Sequence, residues 1–160
     1  MIQEFDELIK SAVCEVFQTM LNMNMETKPF DTAIAANGES HVAGAVGFIG
    51  RLTGVVYIHA SEPFARRITT TLLGLSPEEV QGQEMVNDAM GEMANMIVGH
   101  MKSRLADRGM PCVLTIPSVV RGTNFSIDAV SSTKGSLHMF SCREQYLFVE
   151  FLMKPTKAEA

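Results

Sequence analysis

Tryptophan is absent from this chain of 160 residues, and only two tyrosines and nine phenylalanines represent the aromatics. A core built without them must draw on aliphatic residues and on the 12 methionines, which pack adaptably. Lysine and arginine are also few, 13 against 18 acidic residues, for a net charge of −5. That balance, with a sequence pI near 5.3, excludes a general nucleic-acid binder, which needs cations to replace phosphate counterions. Cysteine occurs three times, as Cys14, Cys112 and Cys142, widely spaced and without CxxC. Such a set is neither a disulfide framework nor a zinc site, and a reducing cytoplasm is its simplest setting. Cys112 and Cys142 are expected as reduced neighbours across strands. No apolar run reaches the ~18 residues of a membrane span. Gln3, Glu4, Asp6 and Glu7 interrupt the place of a basic, then apolar, secretion signal. In a cytoplasmic chain the glycosylation match Asn124-Phe125-Ser126 is chance.

What remains is an ordinary globular composition, 46% hydrophobic and 19% charged. The length fits about one domain, spanning residues 1–160, able to bury about 70% of its unfolded surface without a covalent staple.

Apolar residues from Ile2 through Phe5, Leu8, Ile9, Ala12, Val13, Val16 and Phe17 to Leu21 recur at spacings of three and four, which predicts an amphipathic helix over 2–22. Residues 24–40 read as irregular, with a turn signal at Asn37-Gly38. Strands are expected from His41 to Ile49 and Leu52 to Ala60, joined tightly at Gly50-Arg51. Gly44, Gly47 and Gly54 mark bulges or close backbone approach. Ser61 caps a helix with Pro63 in its first turn, closed by Gly74. Ser76-Pro77-Glu78-Glu79 has capping-box spacing. After a break near Gln81-Gly82, a long helix spans Glu84 to Asp107. Strands follow at 112–120, 125–130, 136–142 and 146–153, with turns at 131–135 and 143–144 and a frayed tail from Lys154. The predicted class is α+β: a largely antiparallel sheet, an N-terminal helix, a helical hairpin-like middle section and one long central helix packed on one face.

The long helix has an unusual face. At about 100° per residue, Asp88, Glu92, Asn95, Gly99 and Lys102 all fall within about 80° of one another. Methionines 85, 90, 93, 96 and 101, with Val86, Ala89, Ile97 and Val98, take the opposite arc and form the core side. An ordinary solvated face is the plain explanation of the stripe. Two residues argue against it: a mid-helix Asn needs a reason, and Gly99 costs about 1 kcal/mol relative to Ala. A glycine there lets another molecule's backbone come close.

Other constellations are weaker. His41, His59, His100 and His138 are scattered, with no metal-binding spacing. Ser61, Ser76 and Ser118 lack a nucleophile-elbow context. No phosphate-binding glycine loop is present.

The run Glu92-x-x-Asn95-x-x-x-Gly99, with Asp88 four residues before Glu92, resembles the signature of the CheC/CheX/FliY chemotaxis phosphatases. Leu52-Thr53-Gly54-Val55-Val56-Tyr57, Leu72-Leu73-Gly74 and Ile116-Pro117-Ser118-Val119-Val120-Arg121-Gly122 extend the similarity over about residues 5–153. Some members carry a second Glu-x-x-Asn in the first helix. Residues 5–25 have none, so the single motif is most like CheX.

The resemblance implies an enzyme that removes the phosphoryl group from the aspartyl phosphate of a CheY-like receiver domain. In that reading Asn95 positions the water and Glu92 docks on the receiver's lysine. Asp88, Gly99 and Lys102 border the partner, Gly99 giving clearance. No cofactor of its own is implied, Mg²⁺ being expected on the receiver. A homodimer through strand edges is implied as well, and the terminal strands from Ser136 to Met153 carry few edge-blocking charges. A non-catalytic, receiver-binding adaptor of the same fold is the alternative. Neither nucleic acid nor membrane is an expected partner.

Overall fold

The computed structural model describes residues 2–35, 40–123 and 133–155. Its elements, in chain order, are α1 (Ile2–Leu21), β1 (Glu26–Lys28), α2 (Thr32–Ala35), β2 (Ser40–Gly50), β3 (Leu52–Ser61), α3 (Glu62–Leu73), a 3-10 turn (Pro77–Glu79), α4 (Glu84–Asp107), β4 (Cys112–Leu114), β5 (Ser118–Thr123), β6 (Lys134–Cys142) and β7 (Gln145–Pro155). The strands described pair antiparallel in the order β1-β6-β7-β3-β2, and β4 and β5 share the outer side of β2. The fold is α+β, as the element order predicts.

The period of two decides which sheet face the helices cover. Val56, Ile58 and Ala60 of β3 are buried on the helix side, as are Leu147, Val149 and Phe151 of β7. On that side Phe5 of α1 stacks on Phe151 at 5.3 Å, and Phe151 stacks on Phe48 of β2 at 5.5 Å. Phe17 of α1 meets Phe64 of α3 at 6.4 Å. Burying each such ring contributes about 1.5–3 kcal/mol. Phe148, one residue off the buried set, points to the opposite face and meets Phe30 edge-on.

The helix boundaries follow local chemistry. Ser61 Oγ accepts from the Phe64 N–H at 3.3 Å to start α3, and Gly74, at φ 66°, ends it in the left-handed region. Ser76 and Glu79 pair as their spacing predicts, but they close a single 3-10 turn before α4 begins.

Several expectations need correction. The irregular stretch 24–40 contains β1, which pairs with Met139–Ser141 of β6, and the short α2. Three residues carry too little pattern to announce a strand. The predicted strand 112–120 is two strands. Phe48 faces Leu114, whereas Ala45 faces Ser118, so Ile116 and Pro117 both fall opposite Val46. This is a one-residue β-bulge, and Pro117, lacking an N–H, sits where the ladder is broken. Cys112 and Cys142 are not neighbours: β7, β3 and β2 lie between their strands, and all three cysteines are free. Nor are both terminal strands at an edge, since β7 is interior between β3 and β6. The expected strand 125–130, the 124–126 glycosylation match and the Asn37-Gly38 turn lie outside the described residues.

Candidate functional site

α4 owes its position to a glycine. A Cβ on Gly44 of β2 would lie 2.5 Å from the Met90 carbonyl oxygen and 3.1 Å from Ala94 Cβ. No side chain fits between sheet and helix there, so the helix backbone rests directly on the strand. Met90, Met93, Ala94, Ile97 and Met101 are buried, and the predicted core arc holds except that Met85 and Met96 are half-buried at its margins.

The start of α4 lacks a side-chain cap. Two guanidiniums hold it instead. Arg121 of β5 donates through Nε to Asn87 Oδ1, through Nη1 to Glu62 Oε2, and at 3.5 Å to the Gln83 carbonyl. Arg66 of α3 pairs with Glu62 at 3.3 Å and donates to the carbonyls of Val80 and Gly82. Cations beside the positive end of a helix are unfavourable, and the shared Glu62 carboxylate offsets them.

The other flank of α4 is tied to α1. Glu15 accepts from His100 Nε2 and from Arg104 at 3.1 Å, and these contacts, the His100 hydrogen bond first, hold its carboxyl below its usual range. Glu15 is followed three residues later by Gln18, a carboxylate–amide pair that a search for Glu-x-x-Asn passes over. Both groups are engaged within the chain, Gln18 with Asn22 at 3.2 Å.

The stripe lies where the helical periodicity places it. Asp88, Glu92 and Lys102 are exposed, while Asn95 and Gly99 are half-exposed. Among the described residues, no side chain hydrogen-bonds or pairs with Asp88, Glu92, Asn95 or Lys102. Asp88 and Lys102, 14 positions apart, are separated by about 21 Å along the axis and do not neutralise each other. Glu92 and Asn95 are about one turn apart. A Cβ on Gly99 would meet nothing within 4 Å, so no packing inside the chain requires glycine there.

The bulge between β4 and β5 walls one side of the stripe. A Cβ on Gly91, next to Glu92, would stand 3.6 Å from Pro117 Cβ and 3.8 Å from Val119 Cγ2. Further along, Lys102 is close enough to Cys112 that its charge draws the thiol down, against the stronger upward push of burial.

Among the described residues no group of three His, Cys, Asp or Glu side chains is arranged to hold a metal ion, and no helix is long and apolar enough to cross a membrane. The arrangement offers a rigid helix presenting one carboxylate and one amide, both free, to whatever docks on it.

The family model described as "Chemotaxis phosphatase CheX" matches residues 42–141. No curated protein sequence matches. The chain is similar to the chemotaxis protein CheX from Vibrio vulnificus, at 25% identity over 94% of this chain and 97% of that one, with a TM-score of 0.79. A CheC-like superfamily protein from Shewanella sp. PV-4 gives 26% identity over 94% and 97%, TM-score 0.75. The same fold occurs in the CheX-CheY-BeF3-Mg²⁺ complex from Borrelia burgdorferi, at 20% identity over 92% and 96%, TM-score 0.72.

Proposed function

The chain belongs to the CheX family of chemotaxis phosphatases, and from that premise we propose that it dephosphorylates the aspartyl phosphate of a CheY-like receiver domain docked on α4. The observation that carries this reading is the free Glu92–Asn95 pair on a helix anchored at both ends, with open space above Gly99 one turn on. The Borrelia relative was solved with CheY, beryllofluoride and Mg²⁺, which supports a receiver as the occupant.

Phosphoryl transfer to water asks mainly for positioning and charge stabilisation. Asn95 suits the positioning task. Its amide oxygen accepts a hydrogen bond from one water and so directs a lone pair of that water in line with the P–O bond. An aspartate in its place would repel the phosphoryl oxygens. Glu92, one turn away, pairs with the receiver's lysine and fixes the docking register. The divalent ion belongs to the receiver and is not held by this chain. Water positioning of this kind contributes about 10²–10³-fold. Gly99 gives clearance, and Asp88 and Lys102 border the contact.

A homodimer completes the reading. Its edge is that of β6, where Lys134–His138 lie beyond the β1 pairing and Leu137 is half-exposed. β7 takes no part, being interior.

The test is loss of phosphate from phosphorylated receiver domains of the same organism, with wild type, Glu92→Ala and Asn95→Ala. Acceleration by wild type that vanishes in Asn95→Ala supports the phosphatase. Binding with unchanged decay would leave the adaptor.

A further inference from the structure

We propose that the β-bulge at Ile116–Pro117 supplies the receiver's second contact, with Ile116 as an apolar anchor beside the Glu92–Asn95 stripe; this rests on the receiver-docking reading above.

The starting point is an exposure that the fold does not explain. Ile116 is 89% exposed, the highest value among the large hydrophobic side chains of the described residues, and Val113, three positions before the bulge, is 68% exposed. An isolated exposed aliphatic is unremarkable. Ile116 is instead displayed by a specific device. The extra residue opposite Val46 breaks the ladder and turns the side chain outward, a use of bulges that recurs beside functional sites. The chain on either side stays paired with β2. Thr115 donates its N–H to the Gly47 carbonyl at 2.9 Å and accepts the Gly47 N–H on Oγ1 at 2.8 Å. Beyond the bulge, Ser118 is back opposite Ala45.

Position identifies the occupant. Pro117 packs on Gly91, adjacent to Glu92, so the bulge lies directly beside the stripe. The apolar strip is therefore continuous with the polar stripe, and a globular domain seated on Glu92 and Asn95 covers both. A free carboxylate and amide beside an exposed aliphatic make a mixed surface, in which polar groups set register and the apolar residue supplies desolvation. Residues 110–120 carry no charge of either sign. Sheet continuation by a second copy fits this site less well. The bulge interrupts the ladder, and Pro117 has no N–H to offer a neighbouring strand.

The probe is each CheY-like receiver domain of the host organism, loaded with beryllofluoride and Mg²⁺ for binding and phosphorylated for turnover. Ile116→Ala and Ile116→Asp are compared with wild type and Asn95→Ala. Because Ile116 is exposed, both variants should keep the wild-type melting midpoint. The expected result is a Kd and KM raised about tenfold in Ile116→Ala and further in Ile116→Asp, with kcat within about twofold of wild type. Kd and KM unchanged in both variants, while Asn95→Ala loses turnover, would overturn the anchor and leave the phosphatase reading standing. A loss of oligomeric mass in Ile116→Asp would assign the surface to a second copy and also overturn it. No receiver bound or dephosphorylated by wild type would remove the parent reading and the anchor with it.

Discussion

Gly44 and Met90 stand so close that a methyl group on the glycine would lie 2.5 Å from the methionine's carbonyl oxygen. The contact is strand backbone against helix backbone, which sets the height of α4 over the sheet and so the position of everything on its outer face. Gly44→Ala should force the two apart and destabilise the fold by about 1–3 kcal/mol. Urea denaturation followed by far-UV circular dichroism measures this. A variant as stable as wild type would mean that the helix lifts at no cost.

Gly99 is the opposite case. Its missing side chain leaves open space, and a helix-interior glycine costs about 1 kcal/mol relative to alanine. Gly99→Ala should therefore raise the melting temperature. Gly99→Leu should remain well folded and yet bind a receiver more weakly, because the new side chain occupies the partner's approach. Tight binding by the leucine variant would show that clearance at Gly99 has no role.

Asn95 and Glu92 have no partner among the described residues, so their removal should leave stability unchanged within about 0.5 kcal/mol. Asn95→Ala should lose the 10²–10³-fold acceleration, of the order that water positioning contributes. Asn95→Asp should lose it too, through repulsion of the phosphoryl oxygens. Glu92→Ala should act mainly on KM. Steady-state phosphate release resolves the two effects.

His138 makes stability depend on pH. It is nearly buried, 3.1 Å from Asp6 and 3.0 Å from Ser136 Oγ. Burial pushes its imidazole below the ordinary 6.5; Asp6 pulls it up, and the nearby Lys10 pushes it further down. The folded state thus binds this proton more weakly than the unfolded chain. Its contribution is complete above pH 6.5 and is lost as pH falls from there through the folded-state value. Glu15, held below its ordinary 4.5 by His100 and Arg104, has the same sign in a lower window. Denaturation midpoints should fall between pH 7 and 5.5, and His138→Gln should flatten that slope. An unchanged slope would mean that another group carries it.

Arg121 joins β5 to α3 and α4 through Glu62, Asn87 and the Gln83 carbonyl. Arg121→Ala leaves Glu62 with Arg66 alone and the first turn of α4 untethered. The expected cost is about 1.5–3 kcal/mol, the range for hydrogen bonds to charged groups. Hydrogen exchange should show fraying at the start of α4, and uniform protection there would contradict the tether.

The sequence by itself determined the three long helices α1, α3 and α4, the β2–β3 hairpin and the polar stripe. Their signals are local: the 3.6-residue period of α1 and α4, the Ser61 cap, Gly74 after the last turn, and a glycine and an asparagine out of place on one helix face. Periodicity alone puts Asp88, Glu92, Asn95, Gly99 and Lys102 on one side, because an α-helix turns about 100° per residue wherever it is.

Only the tertiary structure decided the rest. Gly44, Gly47 and Gly54 read equally as bulges or as close approach. The approach of Met90 to Gly44, of Thr115 to Gly47, and of Leu152 and Phe48 to Gly54 settles it as close approach. β1 is three residues long and exists because β6 offers it an edge. The bulge at Ile116–Pro117 is a mismatch between two registers on β2, and a register is a property of two strands. The same reason hid the wall beside the stripe: Gly91 meets Pro117 only after 25 intervening residues have left α4, crossed β4 and returned, and no local pattern carries the distance between them.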